Sequence, residues 1–308
     1  MKRRKLLSQS SLSQISLSHS SQRLQLPQLS QFLFSVLPLA AFWVLLILPL
    51  FIVFLMAFAK RGVYGDILWE FSLEHVSEQI SRLLDFQTLE IVGRSFRWAA
   101  LNSFFCAMLG VPAAWVLATL APRPKMVWLT LIAIPLLTNL IVRLYAAKLF
   151  VGVSGPLQSL LRFFNLPHDP FAFTQNQWLV GYGLVSTYLP FFILPLYSAL
   201  ERMDWALIEA AQDLGANSRV IFFRLLLPVL ARPILFSTTL VFIPTFGEYL
   251  IPDLLGGAKT RLVGNLITDQ FLKVRDWPMG SLLSVMMILT FLIIFGMNFE
   301  RANGKTKT

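Results

Sequence analysis

The sequence predicts an all-α polytopic membrane protein with six transmembrane helices, and three observations carry that expectation. Hydrophobic residues make up 56% of the 308 residues and charged residues only 14%, with a mean hydropathy of +0.66. Such a composition suits a bilayer better than a water-soluble core. The apolar residues gather in six runs, each long enough to cross roughly 30 Å of hydrocarbon at about 1.5 Å per residue. Lys and Arg flank those runs with a bias to one side, as orientation in a bilayer requires. The net charge of +10 is thereby explained by topology, and no nucleic-acid partner is expected. The single cysteine, Cys106, lies inside an apolar run, can form no internal disulfide and reads as a packing residue.

Residues 1–31 carry Lys2, Arg3, Arg4, Lys5 and Arg23, no acidic residue, and many Ser and Gln. They cannot bury a core and read as a cytoplasmic tail. The long apolar run that follows at a distance argues against a cleaved signal peptide. Residues 32–299 form the expected transmembrane domain, and residues 300–308 a cytoplasmic C-terminal tail. Spans are expected over about Phe32–Ala59, Phe96–Leu120, Met126–Phe150, Trp178–Leu200, Pro233–Leu255 and Gly280–Phe299. With the N-terminus inside, the cytoplasmic segments hold 14 Lys and Arg against nine in the longer external loops. That places the loop 201–232 in the cytoplasm.

The first external loop, Lys60–Arg94, has Val76, Ile80, Leu83 and Leu84 on one helical face and reads as a solvated helix over the bundle. In the second span Gly110, Ala113 and Ala114 allow close helix contact, and Pro112 is expected to bend it. Arg143, in the third span, is costly in lipid and should face protein or reach outward. Loop 201–232 is far longer than an ordinary connection. Glu209-Ala210-Ala211-Gln212-Asp213-Leu214-Gly215 reads as a short helix with a left-handed exit at Gly215. Ser218 is then expected to cap a second helix through Arg219–Leu227, which Pro228 and Pro233 interrupt.

The fifth span is the most irregular. Phe242-Ile243-Pro244-Thr245-Phe246-Gly247-Glu248-Tyr249-Leu250-Ile251-Pro252-Asp253 puts two prolines, a glycine and two acids in one crossing. Such a helix should be broken, with its freed backbone groups against protein or water. Glu248 falls roughly 22 Å along the span from Pro233, in the outer half of the bilayer. An intramembrane carboxylate marks a candidate site. Two readings of Glu248 stand side by side, charge pairing with a solute and acceptance of backbone hydrogen bonds at the break; Asp253 reads as interfacial.

These residues carry a resemblance. Glu209, Ala210, Ala211, Gly215, Leu225, Leu227 and Pro228 have the spacing of the cytoplasmic loop in ABC importer permeases, with Leu225 where that family usually has Ile. Asn102-Ser103, Gly110 to Trp115, and Arg143-Leu144-Tyr145-Ala146, together with Ser72-Leu73-Glu74-His75, resemble its core helices. The run Gly247 to Gly257, with Gly264-Asn265 and Arg275-Asp276-Trp277-Pro278, closely resembles spermidine/putrescine permeases. Together these stretches cover about residues 72–299. The resemblance implies the type I importer permease fold and a transmembrane subunit of an ATP-driven importer for polyamines in the cell inner membrane. It implies a coupling role for Glu209, Ala210, Ala211, Asp213, Gly215 and Pro228, whose helix docks on an ATPase subunit dimer. It further implies a second permease subunit, alike or different, and an external or periplasmic substrate-binding protein.

For a polycation, carboxylates and aromatic faces are the expected lining. Glu248, Tyr249 and Asp253 supply those types, with Trp115 and Trp277 as further candidates on the substrate pathway. No phosphate-binding Gly-x-x-x-x-Gly-Lys-Ser/Thr loop occurs; Gly256-Gly257-Ala258-Lys259-Thr260 has the wrong spacing. The chain is therefore expected to bind no cofactor and to catalyse nothing itself, ATP and Mg belonging to the partner ATPase. His19, His75 and His168 offer no metal-ligand spacing. Permeases for opines, ferric iron, sulfate or phosphonates share the coupling loop and remain alternatives. A gradient-driven secondary transporter is a further one, but no pair of related halves is visible.

Overall fold

A computed structural model of the chain describes residues 28–62, 65–70, 73–164, 176–257 and 260–303. The expected N-terminal tail therefore lies almost wholly outside the described residues, as do residues 304–308, His19, His168, Ser72, Ala258 and Lys259, whereas residues 300–303 of the expected C-terminal tail continue the last helix. The chain divides into two units, 1–53 and 54–308. In the first, the described residues form most of helix α1 (Gln28–Met56), which begins four residues before the expected boundary. Among the described residues, six helices are long and apolar enough to cross a membrane.

The second unit opens with a hairpin of two short antiparallel strands, β1 (Lys60–Arg61) and β2 (Ile67–Leu68), which the helical expectation missed. Its turn closes through the Gly62 N–H on the Asp66 carbonyl at 2.8 Å. Helix α2 (Leu73–Leu83) follows. Of its expected apolar face, Leu83 is half-buried and Ile80 and Leu84 are exposed; among the side chains described on this helix Gln79 is the buried one, its Nε2 donating to the Ala59 carbonyl at 3.1 Å.

Helix α3 (Phe86–Thr119) starts ten residues before the expected span and runs on through Pro112. At 34 residues it extends roughly 50 Å, more than the hydrocarbon thickness. The expected third span is two helices, α4 (Pro122–Leu137) and α5 (Leu140–Val151), separated at Thr138-Asn139. Asn139 Oδ1 caps α5 by accepting from the Ile141 and Val142 N–H groups at 2.9 and 3.4 Å. Arg143 staples the break: Nη1 donates to the Pro135 carbonyl and Nη2 to Thr187 Oγ1, both at 2.9 Å. Its charge thus faces protein, and the Pro135 carbonyl, one of the last of α4, accepts from both Arg143 and the Thr138 hydroxyl, the latter at 3.0 Å. A short helix α6 (Pro156–Phe163) follows, and then α7 (Gln177–Glu201).

After α7 come α8 (Ala206–Asp213), a three-residue turn α9 (Ser218–Val220), a π-helical segment (Ile221–Leu226) and α10 (Leu227–Phe246). Residues 218–246 are therefore one continuous helical stretch, and neither Pro228 nor Pro233 ends it. At Pro228 the π segment supplies the reason. Proline lacks an N–H and crowds the carbonyl four residues back, and the wider turn before Pro228 relieves that contact. Asn217, not Ser218, is the cap, its Oδ1 accepting from the Val220 N–H at 2.9 Å. A second π segment (Pro252–Gly256), α11 (Val263–Asp269), a third (Gln270–Val274) and α12 (Trp277–Asn303) complete the chain.

Helices α3, α7 and α10 enclose the main core, in which Phe192, Leu184, Leu196, Val241 and Cys106 are wholly or almost wholly buried. A Cβ at Gly110 would stand 2.4 Å from a ring carbon of Phe192, so α3 and α7 pack as closely as they do only with glycine there. Beyond the helix ends, Arg61 and Arg82 converge on the buried Asp276 carboxylate at 3.5 and 3.8 Å. Asp276 Oδ1 in turn caps α12 by accepting from the Met279 N–H at 3.1 Å.

Candidate functional site

Helix α8 is a single exposed feature built for rigidity. Asp204 Oδ1 accepts from the Ala206 N–H at 3.0 Å at its start. At its end the Gly215 N–H reaches the Gln212 carbonyl at 2.8 Å and the Ala216 N–H the Ala211 carbonyl at 3.0 Å. This crossed pair, with Gly215 at φ +79°, is the Schellman exit that its position in the sequence implies. Inward, α8 offers Ile208, buried, and Ala211, half-buried against the core. Outward it presents Leu207, Glu209, Ala210, Gln212, Asp213 and Leu214, of which Leu214 is 88% exposed. Leu207, Ala210 and Leu214 share one helical face, flanked by the two carboxylates. Pro228 is exposed, in the first turn of α10 after the π segment.

The fifth span is broken, as its composition requires. Helix α10 stops at Phe246, and the Gly247 and Glu248 N–H groups both turn back to the Thr245 carbonyl. Glu248 then caps the segment beyond: Oε1 accepts from the N–H groups of Tyr249, Leu250 and Ile251 at 3.2, 3.0 and 3.4 Å. Its other oxygen accepts the Tyr188 hydroxyl of α7. An intramembrane carboxylate is thus compensated by the positive end of a helical segment and by one hydroxyl. Tyr188 is the twelfth of the 25 residues of α7, so Glu248 stands level with the middle of that helix.

Neighbouring helices hold the break in place. Asn102 Nδ2 of α3 donates to Thr245 Oγ1 at 2.8 Å. Asn265 Nδ2 of α11 donates to the Tyr249 carbonyl at 2.8 Å, and its Oδ1 accepts from the Leu262 N–H at 3.1 Å. Ser95 Oγ of α3 accepts from the Val263 N–H at 2.8 Å. Gly264 lies against the backbone itself: a Cβ there would stand 2.3 Å from the Gly247 carbonyl oxygen and 2.7 Å from that of Glu248. Beside Tyr188 opens an apolar cavity of about 400 Å³, lined by Phe191, Phe236, Ile243, Pro244 and Phe295.

The five pathway candidates are strung along the bundle rather than gathered. Glu248, Tyr249 and Asp253 belong to the break, with the side chains of Tyr249 and Asp253 exposed. Trp115 lies thirteen residues, roughly 20 Å, along α3 from Asn102, which marks the level of the break. There it packs on Trp205, with ring centroids 5.3 Å apart, beside the start of α8. Trp277 begins α12 and packs edge-on against Phe271. It lies ten residues, roughly 15 Å, from Met287, which faces Gly247. Tyr188, Ser95 and Trp205 are residues that reasoning from sequence missed, and Asn102 entered it only through the resemblance, without a role. All four act through partners remote in the chain.

A polytopic bundle with a short capped helix between its fourth and fifth crossings is the fold of an ABC transporter permease. The chain matches a permease chain of a bacterial ABC transporter for the import of alginate with a TM-score of 0.70 at 15% identity, over 91% of this chain and 98% of that one. No protein-family model matches the sequence. It is 39% identical over 215 residues to the spermidine/putrescine transport system permease protein PotB of Haemophilus influenzae, covering 70% of this chain and 74% of the relative. With PotB of Escherichia coli K12 the identity is 36%, covering 71% and 78%. The chain belongs to the PotB family of ABC transporter permease proteins.

Proposed function

We propose that this permease subunit carries polyamines, spermidine and putrescine among them, across the inner membrane of the cell, with its N-terminus in the cytoplasm. The observation that supports the substrate class is the 39% identity to a spermidine/putrescine permease over most of both chains. Helix α8 docks on an ATPase subunit, to which ATP and Mg belong; this chain binds no cofactor. The exposed Leu207, Ala210 and Leu214 face, rimmed by Glu209 and Asp213, is the contact surface, and Gly215 and Pro228 shape the exit from it. A second permease subunit completes the pathway, lipid surrounds it, and a binding protein delivers solute from outside. Approach of the ATPases drives α8, and the bundles turn as rigid bodies.

On the pathway, Tyr249 and Asp253 are the groups of the break whose side chains stand exposed to a passing cation. Glu248 serves as the cap that keeps the break open. The test is uptake of radiolabelled spermidine and putrescine by cells lacking the gene, restored with wild type or with Glu209→Lys. Uptake that returns with wild type but not with Glu209→Lys is expected. Unchanged uptake in cells with no redundant importer would remove the polyamine assignment and leave the family membership intact.

A further inference from the structure

We propose that Trp115 and the Lys125–Glu201 pair are the positioning residues through which α8 moves the membrane helices, an inference that rests on the coupling role proposed above. Helix α8 is eight residues long, and apart from Ile208 and Ala211 its surface is exposed. A load on it must leave through those two side chains and through its ends. At its entry, the Trp205 ring meets Trp115 near the end of α3 at 5.3 Å, with the planes inclined at 50°. Four residues earlier, Glu201 closes α7. Glu201 Oε1 receives the Tyr197 hydroxyl at 2.6 Å and Lys125 Nζ at 3.4 Å. Lys125 belongs to the first turn of α4, and its ammonium stands 5.9 Å from the centre of the Tyr197 ring. The Lys125 side chain is 21% exposed and that of Glu201 52%, so the pair lies at the surface, and what sets it apart is the Tyr197 hydroxyl and ring that engage both partners.

Helices α3, α4 and α7 therefore converge on residues 201–205, immediately before α8. The two contacts are mechanically different. Packed rings resist compression, so a push on α8 passes to α3 through Trp115. A charge-assisted pair resists separation, so withdrawal of α8 pulls on α4 through Lys125. Both α3 and α7 continue to the broken fifth helix, where Asn102 holds Thr245 and Tyr188 holds Glu248. One continuous set of packed and hydrogen-bonded contacts thus runs from α8 to the break. Trp115 belongs to this linkage and not to the lining of the solute path.

The experiment uses the assembled complex in proteoliposomes, with the partner permease, ATPase and binding protein present. Spermidine taken up and ATP hydrolysed are measured together. In Trp115→Ala and in Lys125→Glu, uptake per ATP is expected to fall at least about fivefold at wild-type yield of complex, the lower range of an allosteric coupling. Trp115→Phe and the exchanged pair Lys125→Glu/Glu201→Lys are expected to restore it to within about twofold. A purely structural role would lower the yield and leave the ratio alone. If Trp115→Ala does not assemble, Lys125→Glu and its exchanged pair decide. A normal ratio in both single variants, beside an uncoupled Glu209→Lys, overturns the linkage alone. A normal ratio in Glu209→Lys overturns the coupling role of α8 itself. If the wild-type complex moves no spermidine, the substrate class fails, and stimulation of ATP hydrolysis by the binding protein becomes the readout for the same variants.

Discussion

Replacing Glu248 separates the two roles an intramembrane carboxylate can have. In Glu248→Ala, the N–H groups of Tyr249, Leu250 and Ile251 lose their acceptor, and the Tyr188 hydroxyl, on a residue only 8% exposed, loses its own. A lost cap costs about 1 kcal/mol, and a stranded buried hydroxyl about 1–3 kcal/mol. The sum is about 2–4 kcal/mol, or roughly 30- to 1000-fold in the folding equilibrium. Glu248→Gln is milder. Its amide oxygen still accepts from the three N–H groups, and its amide nitrogen can donate to the Tyr188 oxygen, although the hydroxyl proton loses this acceptor. What remains is a neutral bond in place of a charge-assisted one and that displaced proton, about 1–2 kcal/mol. The cap reading therefore expects Glu248→Ala to lose stability and uptake together, and Glu248→Gln to keep uptake with a KM close to wild type. The assay pairs spermidine uptake over a range of concentrations with thermal unfolding of the purified complex. If Glu248→Gln unfolds and assembles as wild type does, yet raises KM more than about tenfold, charge recognition outweighs capping. The reasoning given for Glu248 would then be wrong.

Two further substitutions probe the turn and the close approach. Gly215 has φ +79° with open space where a Cβ would go, so Gly215→Val meets only backbone strain, about 1–2 kcal/mol. Uptake per ATP should fall in Gly215→Val and survive in Gly215→Asn, because Asn tolerates that conformation; equal ratios in the two would remove the argument. Gly264→Ala places a carbon 2.3 Å from a carbonyl oxygen of the break, and neither backbone can yield without disturbing the Asn265 and Ser95 hydrogen bonds. Loss of about 1–3 kcal/mol in thermal unfolding is expected, and a wild-type melting curve would show that the break is not held as described.

The membrane class, the six crossings and the existence of the break were legible because each depends on local composition. Runs of apolar residues must cross lipid, and Pro244, Gly247 and Pro252 within about ten residues leave a helix no uninterrupted course. The exit of α8 was legible for the same reason, since Gly215 follows a good helix-forming segment. Legibility ended where one residue answers another far away. Nothing local tells that Glu248 is met by Tyr188, or that Gln79 of α2 is buried on the Ala59 carbonyl. Trp115 looked like an aromatic face for a cation because its residue type allows that role. Its level on α3, opposite Trp205, is a tertiary fact.

The prolines show why a local rule can fail in one place and hold in another. Pro228 and Pro233 read as stops, yet the helical stretch passes both, while Pro244 lies two residues before a true end. The difference is in what surrounds each. Before Pro228 the chain adopts a π turn, which enlarges the ring that proline would otherwise crowd, at the cost of a weaker local hydrogen-bond pattern. After Pro244 the freed groups have better partners than the helix offers. Thr245 is held by Asn102, Tyr249 by Asn265, and the next turn by Glu248. A proline removes one hydrogen bond in either setting, and the tertiary partners available nearby decide whether the helix widens or breaks. The break consequently belongs to α3, α7 and α11 as much as to its own sequence. Any movement of those helices must change the acceptors on which it depends, which makes it a natural place for displacement of α8 to be felt.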